Sequence, residues 1–304
     1  ICIITYMTNI DWQNPYKEKG KFWVKGNLHT HTNISACGVI PPVEVLKIYE
    51  KMGYTFLAIT DHGVISDPGI YKTKLILLSG IEGDINGSYH FCIINLNKDK
   101  IYYNTNSSHQ ELISKNTGGN GGLVILNHPD WEIREHYTIE ELYNLKNYSG
   151  IEIYNSVIER LEGFALSTAK WDRLLANDIK VLGFVNQDSH GEYDYKDCCN
   201  VVNVNTKEET AENIFLSLRT GNFYCYYGVE ILDIGRNSNI VYVKTKNAKL
   251  IRFVGFGGRV LKKADSKEAE MKFLDDPKYK YIRMECIGTG EEVSWTQPFF
   301  KDAI

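Results

Sequence analysis

Six of the eight histidines in this chain fall into short polar clusters. In order, the chemistry-bearing residues are His29 and His31, Asp61-His62, Glu82, His90, His128, and Asp188-Ser189-His190. Imidazole and carboxylate are the donors that borderline and hard divalent metals prefer. A set this rich reads as a multinuclear metal site. His29 and His31 are two residues apart, which puts both rings on one face of a strand, able to share one ion. Taken alone, that pair equally suits two solvated histidines at a strand end; the later clusters tip the reading toward ligation. Glu82 ends an apolar run that should be buried. A buried carboxylate needs a partner, and its two oxygens suit it to bridge two ions. His128 stands in Asn127-His128-Pro129, where proline restricts the preceding backbone to extended conformations. Asp188-x-His190 repeats the spacing of the first pair. Asp61-His62 admits a second reading as a helix cap or a core hydrogen bond. His109 and His136 read as surface residues, His136 near the rim of the site, and Cys37 reads as a small buried thiol.

The elements that must carry these residues alternate. Apolar runs of strand length are expected at 24–28, 56–60, 75–79, 90–96, 123–126, 150–154, 181–185 and 201–205. Helical patterns are expected at 42–52, 109–115, 139–145, 164–176 and 209–219. This alternation argues for an α/β fold with a largely parallel sheet. Asp61-His62, Glu82, His128, Glu152 with Asn155, and Asp188 with His190 all fall at or just after the C-terminal ends of such runs. That placement is the signature of a β/α barrel, whose active site lies on that face. His90 opens its strand instead, which suits a hairpin with Glu82 across the turn dipeptide Asn86-Gly87. Residues 1–25 read as a leader packed on the barrel, 26–228 as the barrel-like domain, and 229–304 as a small all-β, sandwich-like domain of short strands.

With 304 residues the chain can bury a large core. A formal net charge of −4 gives no polyanion signal, which argues against extended nucleic acid as a partner. The seven cysteines follow no disulfide framework, so reduced thiols and a cytoplasmic location are expected. No apolar run reaches the length of a membrane span.

The ordered motifs Gly26-Asn27-Leu28-His29-Thr30-His31-Thr32, Ile59-Thr60-Asp61-His62, Gly80-Ile81-Glu82, Asn127-His128-Pro129 and Asp188-Ser189-His190 resemble the PHP (polymerase and histidinol phosphatase) family of metal-dependent phosphoesterases. The resemblance covers roughly residues 22–228. The stretches 218–224, 281–283 and 295–298 resemble the β-rich ending of one branch of that family, which includes carbamate-type metallohydrolases. The resemblance implies a distorted (β/α)7-type TIM-like barrel with two or three divalent metal ions, zinc, manganese or iron. It implies His29, His31, Glu82 and Asp188 at a first metal; Glu82, His90 and His128 at a second; and His62 and His190 at a third. Where many relatives carry an Asp or His a few residues past the second histidine, this chain reads Asn33-Ile34-Ser35-Ala36-Cys37-Gly38. The missing carboxylate leaves three alternatives for the third metal: weak, absent, or bound through Cys37.

The reaction this points to is hydrolysis of a small phosphate ester (a nucleotide, a sugar phosphate or an oligonucleotide end) by a metal-activated water. His62 or Asp61 would manage the leaving-group proton. Arg134 and Arg173 would grip phosphoryl oxygens, with Glu152 and Asn155 contacting substrate or supporting the ligands. Two rivals stay open. One is a metallohydrolase of a carbamate, ester or amide; the other is a non-catalytic, metal-stabilised binding module. No protein partner is indicated.

Overall fold

The computed structural model describes residues 10–20, 22–118, 120–131, 136–161, 163–204 and 210–301. Its first half follows the expected alternation: β1 (Phe22–Asn27), α1 (Pro42–Lys51), β2 (Phe56–Ala58), β3 (Ile76–Ile85), β4 (Ser88–Asn95), α2 (His109–Thr117), β5 (Leu123–Leu126), α3 (Ile139–Asn144), β6 (Gly150–Asn155), α4 (Ser156–Arg160), α5 (Thr168–Ala176) and β7 (Leu182–Asn186). Then follow β8 (Cys198–Val204), α6 (Ala211–Thr220), β9 (Phe223–Tyr227), β10 (Ile231–Asn237), β11 (Ile240–Thr245), β12 (Leu250–Gly255), β13 (Arg259–Ala264), β14 (Glu268–Lys272), β15 (Tyr281–Ile287), β16 (Val293–Thr296) and β17 (Phe299–Phe300).

Local chemistry sets the boundaries. Pro42 opens α1, where a missing N–H costs nothing, and Gly53 follows its end at φ +75°. Thr138 and Glu141 form a reciprocal capping box on α3. The turn between β3 and β4 places Asn86 and Gly87 at φ +57° and +69°, as a type I′ hairpin requires. The helix expected over 164–176 starts only at Thr168. Upstream of it Phe164 N donates to Asp130 O and Leu166 bridges to Tyr154, so tertiary pairing holds that stretch extended.

The large sheet runs β13-β12-β15-β16-β9-β8-β1-β2-β3-β4-β5-β6-β7, with β17 paired to β15. β1, β2 and β3 pair in parallel, as do β5, β6 and β7, while β4 is antiparallel to both neighbours. The expected closed barrel is absent: among the described residues no ladder joins β7 to β1. Two substitutes close the gap. Asn200 on β8 uses its side-chain amide to accept from Val185 N and donate to Val185 O. Beyond the strand ends, Asp188 N donates to His29 O and His31 N donates to Ser189 O, a single parallel bridge at the mouth. The gap therefore narrows where the histidine clusters meet.

The strands after Gly228 mostly extend this sheet, because β16 pairs with β9. β10, β11 and β14 form a separate three-stranded sheet. One apolar cluster fills the barrel-like half, around Phe91, Ile125, Trp171 and Phe184. A second joins α1 (Val45, Leu46, Tyr49) to Ile251, Phe253 and Met284 of the C-terminal strands. No helix among the described residues is long and apolar enough to cross a membrane.

Candidate metal centre

His29 and His31 lie just past β1 on one face, with their Nε2 atoms 3.2 Å apart. Both Nε2 atoms stand 3.0 Å from Asp188 Oδ1, and they stand 3.1 Å from Glu82 Oε1 and Oε2 respectively. All four residues are buried. Neighbours fix both tautomers. Glu152 Oε1 can only accept, so the 2.8 Å contact to His29 Nδ1 places the ring proton there. Ser35 Oγ donates to Asp61 Oδ1, so at 3.2 Å from His31 Nδ1 it accepts the proton of that ring. Both Nε2 lone pairs therefore point at two carboxylates.

Lone pairs facing lone pairs in a buried space repel unless positive charge lies between them. Two donors bound at right angles to one ion at about 2.1 Å would stand about 3.0 Å apart. The donor chemistry, the spacing and the buried Asp188 Oδ1, which has no hydrogen-bond partner, all fit a divalent cation. Protonation shows the same demand for positive charge. Burial works against charge on His29 and His31, but the surrounding acids, Asp188 foremost, outweigh it and raise both well above the ordinary histidine value. Burial likewise opposes charge on Glu82 and Asp188, yet the histidines, His29 foremost, hold both well below the ordinary carboxylate value.

Glu82 extends this set to a second. It sits inside β3, where its Oε1 lies 3.5 Å from His90 Nδ1 and 3.7 Å from His128 Nε2, while Oε2 lies 3.2 Å from His62 Nε2. A third group brings donor atoms of His31, Cys37, His62 and His190 within 4.8 Å of one another. Cys37 is exposed, not the buried thiol expected. Burial opposes its ionisation, but hydrogen bonds with His190, His31 and His62 lower its pKa to about 4.

Two residues of the cluster adopt left-handed backbone, His128 at φ +28° and Asp188 at φ +54°. Proline was expected to keep His128 extended. Its amide instead donates to Glu152 Oε2 at 2.9 Å, which turns the ring into the cluster. Strain of this kind persists where surroundings over-determine it, commonly at functional sites.

Other residues named from the sequence fall around this cluster or away from it. Asp61 is buried and accepts from Thr32 N, Thr32 Oγ1, Ser35 N and Ser35 Oγ. It pins the loop after His31. Glu152 is buried and accepts from His29 Nδ1, His128 N, Asn155 Nδ2 and Asn186 Nδ2. Asn155 donates to Glu152 and Asp188 and caps α4. Both brace the cluster through hydrogen bonds. Arg173 is exposed in the last turn of α5. Arg134 lies outside the described residues.

His136, read from sequence as a surface residue, is buried beside His90, His128 and Trp131. Its Nε2 accepts from His90 N at 2.7 Å, and burial pushes its pKa down to about 2. The sequence signal was Tyr137 and Ile139 just beyond it, both core residues. His109 is likewise half-buried, against Phe91. The supporting amides of Asn127 and Asn186 were missed too. Asn127 donates to Glu82 Oε1 at 2.6 Å. Their signal was an Asn at the end of an apolar strand, where a buried amide must bond to something.

No family model and no curated protein matches this chain. Among solved structures it is similar to a two-domain protein from Bacteroides vulgatus that contains a predicted PHP-like metal-dependent phosphoesterase. The likeness covers 93% of this chain and 88% of that one, at 17% identity and a TM-score of 0.52. The two share a fold. A looser likeness, at 16% identity and a TM-score of 0.41, covers 65% of this chain and 94% of a candidate metal-dependent phosphoesterase from Bifidobacterium adolescentis. The fold shared with the Bacteroides protein spans both halves of this chain, including the strands after β9.

Proposed function

We propose that this protein is a metal-dependent hydrolase acting on a small phosphate ester. One observation carries the reading: two tautomer-locked imidazoles and two carboxylates converge, with donor atoms 3.0–3.2 Å apart, in a buried space at the strand ends. The PHP-like fold of the Bacteroides protein supports it.

In this reading His29, His31, Glu82 and Asp188 hold one divalent ion, and Glu82, His90 and His128 hold a second. Bound there, such ions would polarise the scissile group and lower the pKa of water. The chain's residues do the rest. Glu152 keeps His29 Nδ1 protonated and its Nε2 free. Asp61 and Ser35 do the same for His31. Buried Lys170 donates to Pro129 O and Tyr137 O and pairs with Asp130, which steadies the segment carrying His128 and His136. His62, with a side chain 31% exposed, is the cluster histidine most open to solvent.

The test is metal analysis of protein purified without chelator, followed by phosphate release across a phosphomonoester panel, with naphthyl carbamate in parallel. At least two ions per chain and metal-dependent phosphate release are expected. Carbamate cleavage without phosphate release would move the assignment to the other hydrolase class. A chain that binds no divalent ion would end both.

A further inference from the structure

We propose that Cys37 supplies a sulfur ligand to a third cation position shared with His62 and His190, making that position selective for thiophilic ions such as zinc, cobalt or ferrous iron. The inference rests on the metal-centre reading above and adds the chemical class of one ion.

His31 Nε2 is directed at Glu82 and Asp188, within the first set. His190 Nδ1 donates to Asp188 O at 2.7 Å, so its Nε2 carries the lone pair. The His190 ring stacks on His31 at 4.3 Å between centroids, and His62 lies 4.8 Å from His31 on ring centroids. The Cys37 sulfur falls within 4.8 Å of donor atoms on all three rings. Subtracting His31 leaves one sulfur and two imidazole nitrogens on the solvent side of the cluster. Of the six described cysteines, Cys37 is the exposed one; the other five are buried.

The loop that carries Cys37 is fixed, so the approach is built into the fold. Thr32 and Ser35 are tied to buried Asp61. Gly38 N donates to Ser35 O, and Val39 N donates to His190 O. A Cβ on Gly38 would stand 2.2 Å from Thr32 O, so the tight return after Cys37 requires glycine. The same hydrogen bonds that seat His31 therefore hold the thiol against His62 and His190.

Sulfur changes what the position accepts. Oxygen and imidazole sites take manganese, iron and zinc alike, whereas thiolate favours the softer ions and disfavours manganese and magnesium. The first two sets hold no sulfur. One chain would then carry positions of two different chemical preferences.

Cobalt(II) titration of the metal-stripped full chain, followed by near-ultraviolet absorption, tests this. Wild type should show a thiolate-to-cobalt charge-transfer band, and excess manganese should not abolish it. Cys37→Ser should lose the band and one equivalent of bound cobalt, while keeping its other equivalents and its melting profile. Cys37→Asp should recover the equivalent without the band. Cobalt binding by wild type with no such band would overturn the proposal and leave the metal-centre reading standing. So would a Cys37→Ser chain that retains full stoichiometry. No cobalt binding at all would sink both.

Discussion

At the scale of single residues, supporting groups matter as much as ligands. Glu152 touches no candidate ion position, yet it sets the His29 tautomer and turns the His128 backbone. Glu152→Gln presents a donor or a weaker acceptor to His29 Nδ1. Its expected cost is about 10- to 100-fold in metal affinity with the fold intact, measured by competition with a chromophoric chelator. Glu82→Gln goes further, because Glu82 faces both of the first two sets. It should lower metal content at both and reduce activity at least as much. The charge balance also predicts a proton count. His29 and His31 are raised well above 6.5, so their stabilising charge is complete below that pH and fades as pH climbs through the raised values. Near neutral pH the metal-free centre therefore carries protons that a cation must displace. Metal affinity should rise with pH, and calorimetric binding heats should vary with the ionisation enthalpy of the buffer. Heats independent of buffer would contradict this.

At the scale of elements, α2 carries a pH-sensitive contact remote from the centre. His109 is its first residue, packed against Phe91. Burial lowers its pKa from 6.5 to about 4. The unfolded chain then binds a proton that the folded chain refuses, so stability is intact above about 6.5 and is lost as pH falls toward 4. The loss should be on the order of 2 kcal/mol. His109→Gln should flatten the denaturant midpoint across that window, and an unchanged slope would place the sensitivity elsewhere. Element boundaries also show where pattern fails. Residues 164–167 continue an amphipathic helical pattern, but the Leu166 bridge to Tyr154 and the Phe164 bond to Asp130 outcompete a first helical turn.

At the scale of the whole molecule, the two halves share one sheet through the β9–β16 pairing. They also share a buried ion pair. Arg283 on β15 is bidentate to Asp172 on α5, at 2.8 and 2.6 Å, and reaches Glu285 at 2.9 Å. Arg283→Met would leave Asp172 buried and uncompensated, at a cost of about 3–5 kcal/mol. Thermal unfolding of the wild type should be a single transition, which this substitution lowers as a whole. A split into two transitions would show that the halves melt independently. Saturating metal should raise that transition, because cations held by the proposed centre would bind only the folded chain, where the clustered donors exist.

The residues that meet at the strand ends were legible in the chain itself. His29, His31, Glu82, His90, His128, Asp188 and His190 stand out because imidazoles and acids beside apolar strand runs are costly without a shared purpose. The alternation of strands and helices was legible too, since period and turn chemistry are local properties. What only the tertiary structure decided was which polar groups face inward. In sequence Glu152 and Asn155 could contact substrate or support the cluster, and the hydrogen bonds of the folded chain show them bracing it. His136 looked solvated until folding buried it. The mouth closes through a single bridge and the Asn200 amide, where seven strands suggested a complete ladder. Local patterns fix what a segment prefers, but hydrogen-bond satisfaction and burial are settled only when distant segments meet.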